Sequence, residues 1–415
     1  MNMRTDFDVI IVGGGLAGGL AALALARNGF ECAVIDAQNP QAMRSASFDG
    51  RTTALAYAAV RMFKRLGLWA AIEDEAEPIR DILVTDGRAR DRFRKGVVSP
   101  FHLHFDSREL GPDTPLGWIA ENRTLREAIF DAIDRADAIT LFAPARRTSA
   151  RFGPAHAEVD LASGETLSAP LVVAADGRFS ALRAEAGIKV NKWTYPQTGI
   201  VVTVAHEKPH LGVAQEFFLP SGPFAILPLT ENRSSLVWSE HRDAAPAYLK
   251  LDDAAFLRQI EARFGPYLGT LTLASPRWSY PLAFHLAQTM IAPRMALIGD
   301  AAHAVHPIAG QGFNLGIKDI AALADVLAEA RGLGLDIGHM SVLENYQRWR
   351  RFDSTALALG MDLLTRLFSN DIAPIRLARD IGMSAVGKVA PLRQLFMRQA
   401  GADLGKLPSL MASEG

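Results

Sequence analysis

The chain has 415 residues, is 49% hydrophobic and 21% charged, and carries a formal net charge of −1. That length exceeds one ordinary domain and that composition suits a large apolar core, while the balanced charge gives no global pull toward nucleic acid or an anionic membrane. A single cysteine, Cys32, excludes an internal disulfide and any multi-cysteine metal site.

Asp8–Val12 reads as a strand of buried type. Gly13-Gly14-Gly15-Leu16-Ala17-Gly18 follows, matching G-x-G-x-x-G, and a helix then runs to about Asn28, with Gly29 as its C-cap. Glu31–Ile35 is the next strand, closed by Asp36 eighteen residues after Gly18. Strand, glycine turn, helix and terminal acid in this order form a dinucleotide fingerprint: the glycines let backbone approach a pyrophosphate, and the acid accepts ribose hydroxyls. The stretch Phe7–Ala26 is nearly uncharged and follows Arg4, so it could pass for a membrane span or a signal peptide. Only the strand-turn-helix reading explains its glycines, so no targeting segment is read and a cytoplasmic protein is expected.

Arg51 precedes a helix-like run, Ala54–Leu66. Arg88, Arg90, Arg92 and Arg94 alternate as on one face of a strand, and Asp86 and Asp91 among them favour a solvated edge over a nucleic-acid patch. Trp118–Glu121 is a short strand, followed by a helix over Thr124–Ala136 with Asn122 or Thr124 as cap. Thr140–Leu161 reads as two paired strands around Gly153-Pro154, and Leu171–Ala175 as a buried strand ended by Asp176-Gly177. From Lys189 to Pro281 the runs Gly199–Ala205, Ala214–Leu219, Phe224–Pro228 and Ser234–Glu240 alternate and are punctuated by prolines, with a helix near Ala254–Phe264. They predict an inserted antiparallel sheet.

Ala296–Ile298 resumes a buried strand, stopped by Gly299-Asp300. Pro307, Gly310 and Gly312 force an irregular turn, and Phe313–Leu327 has helical spacing. That helix end offers free N–H groups and a positive dipole end to an electron-rich ligand edge. Asp300, His303 and His306 recur at three-residue spacing, but Pro307 and the glycines argue against a regular helix, so no metal is expected. The rest is helical. Residues 361–400 mix Arg366, Arg376, Arg379, Lys388, Arg393 and Arg398 with apolar side chains. The plain reading is an amphipathic bundle packed on the body or a second subunit, as in a homo-oligomer; the sharper one is a surface docking on membrane or a partner.

Gly13-x-Gly15-x-x-Gly18, Asp176-Gly177 and Gly299-Asp300 together resemble the three flavin motifs of class A flavoprotein aromatic hydroxylases, the para-hydroxybenzoate hydroxylase type. The run from His306 to Asp319 is similar to the signature of the ubiquinone-biosynthesis hydroxylase branch, and Asp49-Gly50-Arg51 and Glu121-Asn122-Arg123 fall where that family has flavin-contacting arginines. Asp36 stands where many relatives carry Glu, and either acid can accept ribose hydroxyls. The resemblance spans about Phe7 to Arg398. It implies an α/β fold: a Rossmann-like FAD-binding domain (1–78, 104–184 and 285–358), an inserted antiparallel-sheet substrate domain (79–103 and 185–284) and a C-terminal helical region (359–415).

By that resemblance FAD is bound tightly and non-covalently; Cys32, by its place in an apolar strand, is read as a buried packing residue. Gly13, Gly15, Ala17 and Gly18 hold its pyrophosphate, Asp36 its adenosine ribose, and Gly299 and Asp300 its ribityl chain. Gly310, Gly312, Phe313 and Asn314 face its pyrimidine edge, and Arg51 and Arg123 add charge. Asp176 and Gly177 link FAD to NAD(P)H, which lacks a second G-x-G-x-x-G and so binds transiently. NAD(P)H reduces the flavin, O2 adds at C4a, and the distal oxygen passes to the ring of a polyprenylated phenol in a dry pocket. Arg51 and Pro307 are the candidate catalytic residues, Pro307 standing at the flavin–substrate junction. Phe217, Phe224 and Leu227, with Phe218 beside them, are candidate pocket walls. Other ubiquinone-biosynthesis proteins or the inner face of the membrane are the expected docking partners of the C-terminal helices. A halogenase would carry a Trp-x-Trp motif, which is absent. A reductase or dehydrogenase acting on a prenyl lipid and a non-catalytic FAD-bound component of a biosynthetic complex are the competing readings.

Overall fold

The structure, a computed structural model, describes residues 6–45, 49–86, 102–111, 114–305, 310–368, 389–403 and 405–413. One sheet runs Ile291–Ala292, Met295–Leu297, Leu171–Ala174, Val9–Val12, Cys32–Ile35 and Ile139–Phe142. All neighbours are parallel except the first two, which form a small hairpin. Its central strands are buried along their whole length, which is why they read as unbroken apolar runs. The helices Leu16–Arg27, Asn122–Asp134 and Gln311–Gly332 and the small sheet Arg147–Phe152, Ala157–Leu161 and Thr166–Ala169 complete its core.

A nine-stranded sheet stands beside it. Its order is His303–Ala304, Trp278–Ala287, Val190–His206, Arg233–His241, Gly222–Leu229, Val213–Leu219, Asp81–Asp86 and His102–Asp106, with Leu271–Leu273 also on Val190–His206. Pairing is antiparallel except between Val213–Leu219 and Asp81–Asp86. One face is closed by the helix Asp253–Phe264, where Phe256, Ile260 and Phe264 meet Phe217, Phe224, Leu236 and Trp238. The other face looks toward Asp49–Ala56: Gly50 lies flat on the Trp278 ring, and Thr52 Oγ1 donates to Ser235 Oγ at 3.0 Å.

Several elements differ from the sequence expectation. Ala54–Ala56 ends a strand, Thr52–Ala56, paired with Gly117–Glu121, and the helix starts only at Tyr57. Cross-strand pairing there overrides helix propensity. The helix after Gly117–Glu121 begins at Asn122 with Glu121 as N-cap, because the Asn122 side chain is drawn sideways to Thr53 and Asp49. Ile139–Phe142 extends the parallel sheet, so only residues 147–161 form the expected hairpin. The boundary expected at 358/359 falls inside an unbroken helix, Met340–Phe368. Residues 389–403 and 405–413 fold back on the body: Met397 enters an apolar cluster, Asp403 meets Tyr57 and Arg61, and Ser409 bonds Asp325. Arg88, Arg90, Arg92, Arg94, Arg376, Arg379, Lys388, His306 and Pro307 lie outside the described residues. No helix among the described residues is long and apolar enough to cross a membrane.

Candidate active site

The first glycine loop is closed by backbone contact. Gly13 has φ +103°, and a Cβ added there would fall 2.3 Å from the Ala175 carbonyl oxygen; one added at Gly18 would fall 1.7 Å from that of Gly13. Only residues without a side chain allow strand, helix and the neighbouring strand end to meet this closely. Gly15 is the N-cap of Leu16–Arg27, and no side chain caps that helix and no acid occupies its first turn. A Cβ at Gly15 would meet nothing within 4 Å, so space opens there at a positive helix end. Asp36 is held beside it, accepting from Gly14 N at 2.6 Å and Gln38 N at 2.7 Å.

The second and third loops reach the same groove. Asp176 adjoins Gly13; its Oδ2 accepts from Ala181 N at 2.9 Å, and its buried Oδ1 has no partner among the described residues. Gly177 follows at φ +80°. Gly299 lies against Ala17, and its N–H donates to Asp319 Oδ2 at 3.1 Å. Asp319, fully buried, also accepts from His303 Nε2 at 2.6 Å and Arg350 Nε at 2.9 Å. His303 therefore serves the loop from beneath, facing Asp319. Asp300 remains reachable by solvent, yet the protein around it desolvates the carboxyl and raises its pKa against the pull of His303, Arg51 and Arg178.

Gly310, left-handed at φ +62°, caps Gln311–Gly332, again without a side-chain cap among the described residues and without a first-turn acid. Gly312 and Phe313 are partly accessible in that first turn. Asn314 does structural work: its Nδ2 donates to Ala54 O at 2.8 Å and its Oδ1 accepts from Ala56 N at 3.0 Å. It ties this helix end to the Thr52–Ala56 strand, which the sequence reading missed. The signal available was an amide one turn into a buried helix, which must find backbone partners.

Arg51 enters this strand from a charge network. Its Nε and Nη2 donate to the two oxygens of Asp49, each at 2.9 Å, while Arg126 and Asn122 each donate to Asp49 Oδ2 at 3.1 Å. Burial alone would raise the Asp49 pKa, but hydrogen bonds and charge from Arg51 outweigh it and hold it at about 2. A depressed carboxyl stabilises the fold above its unfolded pKa, and that stability disappears as pH falls through the folded value. Asp49→Asn is therefore expected to flatten the fall in melting temperature between about pH 4 and pH 2, removing about 1–2 kcal/mol of pH-dependent stability. An unchanged acid limb in thermal scans would refute the network's role.

Arg123 lies next to this strand, 3.4 Å from Glu121, which also accepts from Arg233 at 3.0 Å. The pocket-wall expectation is corrected in part. Phe217 and Phe224 belong to the core beneath the nine-stranded sheet, because strand alternation points them at the Asp253–Phe264 helix. Leu227 points the other way and packs against the cluster of Ile79, Ile119 and Ala214, which Ala54 also borders. Cys32 is buried, and desolvation with the nearby Asp8 and Glu31 charges pushes its thiol up to about 12, which makes it inert.

Two uncapped helix ends, an anchored strand-end acid, open space at Gly15 and an orphaned buried oxygen on Asp176 surround one groove. This donor set fits FAD, and the fold with this groove defines a flavoprotein of Rossmann-like type carrying a second sheet over the cofactor site. Residues 6–357 match the family described as FAD binding domain. The chain is 47% identical over 397 residues to ubiquinone hydroxylase UbiL of Rhodospirillum rubrum, covering 96% of this chain and 90% of that one. It is 34% identical over 395 residues to 3-demethoxyubiquinol 3-hydroxylase of Escherichia coli, covering 95% and 98%. The structure of p-nitrophenol 4-monooxygenase PnpA from Pseudomonas putida shares its fold, with a TM-score of 0.78 at 18% identity over 96% of this chain and 99% of that one. The protein belongs to the FAD-binding-domain family and, within it, groups with the ubiquinone hydroxylases.

Proposed function

We propose that this protein uses NAD(P)H and O2 to hydroxylate the ring of a polyprenylated phenol in ubiquinone biosynthesis. One observation carries the reading: the outward face of the nine-stranded sheet, with Leu227 packed against the same apolar cluster as Ala54 and Ser235 bonded to Thr52, closes over the strand that Asn314 ties to the second helix end. A flavin ring at that helix end would face an apolar chamber. The high identity to ubiquinone hydroxylases supplies the substrate class.

Bound FAD supplies hydride acceptance and oxygen transfer. The chain's residues hold and shield it. Gly13, Gly15, Ala17 and Gly18 take the pyrophosphate and Asp36 the ribose. Gly299 and Asp300 take the ribityl chain, and the N–H groups of Gly312, Phe313 and Asn314 the pyrimidine edge, where negative charge gathers on reduction. Gly310 sets the turn that aims them. Arg51, held in place by Asp49, and Arg123 add positive charge, and Asp176 and Gly177 border the entry of NAD(P)H. Leu227 keeps water from the ring, and Pro307, outside the described residues, is assigned to the flavin–substrate junction by the family resemblance alone. The segments 1–78, 104–184 and 285–358 form the cofactor unit, and 79–103 and 185–284 the substrate unit. Exposed Phe352 and Leu359 and, beyond them, Val389, Leu395 and Phe396 offer an apolar surface by which the protein approaches the membrane that holds its prenylated substrate.

Incubation with a prenylated phenol, NAD(P)H and ¹⁸O2 tests the reading: one labelled oxygen in the product is expected, and a reductase would incorporate none. Asp300→Ala is expected to retain less than half the wild-type flavin after gel filtration. Full flavin content in that variant would remove Asp300 from the cofactor site.

A further inference from the structure

Glu216 stands on the outward face of the nine-stranded sheet. It pairs with Ala225, Ala225 with Val237, Val237 with Val201, and Val201 with Trp278, the residue that packs on Gly50. Directly opposed residues share a face, so Glu216 looks the same way as Trp278, Ser235 and Leu227. Ala214 and Phe218, two residues to either side of it, are buried on that face, and Val84 and Leu103 continue the row beyond it. Leu227 is its diagonal neighbour across the pair and packs against the apolar cluster that Ala54 also borders, and Gly310 at the helix end lies against Ala54.

The surroundings are apolar, and among the described residues no hydrogen bond or ion pair engages the carboxyl. The side chain is half-buried, and desolvation by the protein around it pushes the carboxyl pKa up to about 8. The half-buried side chain is within reach of a ligand and is ringed by Ala214, Phe218, Ala225 and Leu227. Leaving a carboxyl there without a partner is costly, and a polar ligand in the recess would relieve that cost.

We infer that Glu216 is a substrate-contacting residue whose carboxyl hydrogen-bonds the phenolic hydroxyl and so orients the ring carbon to be hydroxylated. The inference rests on the monooxygenase reading above. It assigns recognition of the hydroxyl to the sheet.

The test uses FAD-loaded wild type, E216Q and E216L with a prenylated phenol and its O-methyl ether. Binding is read from the perturbed flavin absorbance, and coupling from product formed per NAD(P)H consumed. Wild type should bind the phenol roughly tenfold more tightly than the ether, a hydrogen bond's worth. E216L should bind both alike, lose at least half its coupling to H2O2 release, and melt no lower than wild type. E216Q should keep most of the preference, since an amide still bonds a hydroxyl. A phenol preference retained in E216L, with wild-type turnover intact, overturns the inference and leaves the monooxygenase reading standing. Loss of FAD from E216L overturns the placement of Glu216 in the substrate recess. A wild type that neither binds nor hydroxylates the phenol overturns both.

Discussion

Replacing Asp319 with alanine is expected to destabilise the protein by about 3–5 kcal/mol and to leave it almost colourless. Asp319 is fully buried in the Gln311–Gly332 helix and gathers three donors: His303, Arg350 and the Gly299 amide. Burial would raise its pKa, but the charges of His303 and Arg350 win and hold the carboxyl ionised. Removing it leaves a buried guanidinium without that carboxylate and frees the Gly299-Asp300 loop, so fold and cofactor are lost together. Asp319→Asn keeps the shape and one acceptor oxygen, so it should fold, with an intermediate denaturation midpoint and reduced flavin content. A wild-type midpoint and full flavin in the asparagine variant would show that this triad does not set the loop.

Gly18→Ala should abolish flavin retention by steric means alone. The added Cβ would sit 1.7 Å from the Gly13 carbonyl oxygen, which is backbone and cannot swing aside. Either the helix Leu16–Arg27 withdraws from the strand end or the loop opens. The cost is about 1–3 kcal/mol of stability and on the order of a hundredfold in FAD affinity. Gly15→Ala is the informative partner. Its Cβ would meet no protein atom within 4 Å, and the backbone there lies at φ −68°. It should melt like wild type and still bind FAD more weakly, because the space it fills is assigned to the cofactor. Equal FAD affinity in wild type and Gly15→Ala, measured by fluorescence titration, would mean the pyrophosphate lies elsewhere.

Much of the cofactor side was legible beforehand because it is local. Gly13 to Asp36 is one strand-turn-helix-strand unit, and its glycines and terminal acid have few other uses. Asp176-Gly177 and Gly299-Asp300 could be placed at strand ends by composition. The strand Thr52–Ala56 could not, because its partner Gly117–Glu121 lies some sixty residues away and local propensity favoured a helix. Phe217 and Phe224 were misjudged for a related reason. Alternation says that neighbouring residues face opposite ways, but not which way the covering helix lies. Asp253–Phe264 takes the side that Phe217 and Phe224 occupy, which leaves Glu216 and Leu227 on the other.

The sequence alone therefore determined the cofactor class, the order of the loops and the family, since these depend on short contiguous motifs whose backbone demands are specific. Tertiary structure decided which face of the second sheet meets the cofactor groove, which carboxylates are held ionised by buried cations, and where a carboxyl stands without a partner. Those properties arise from contacts between segments distant in the chain, and burial, which sets the energy of each charge, exists only once the segments have packed.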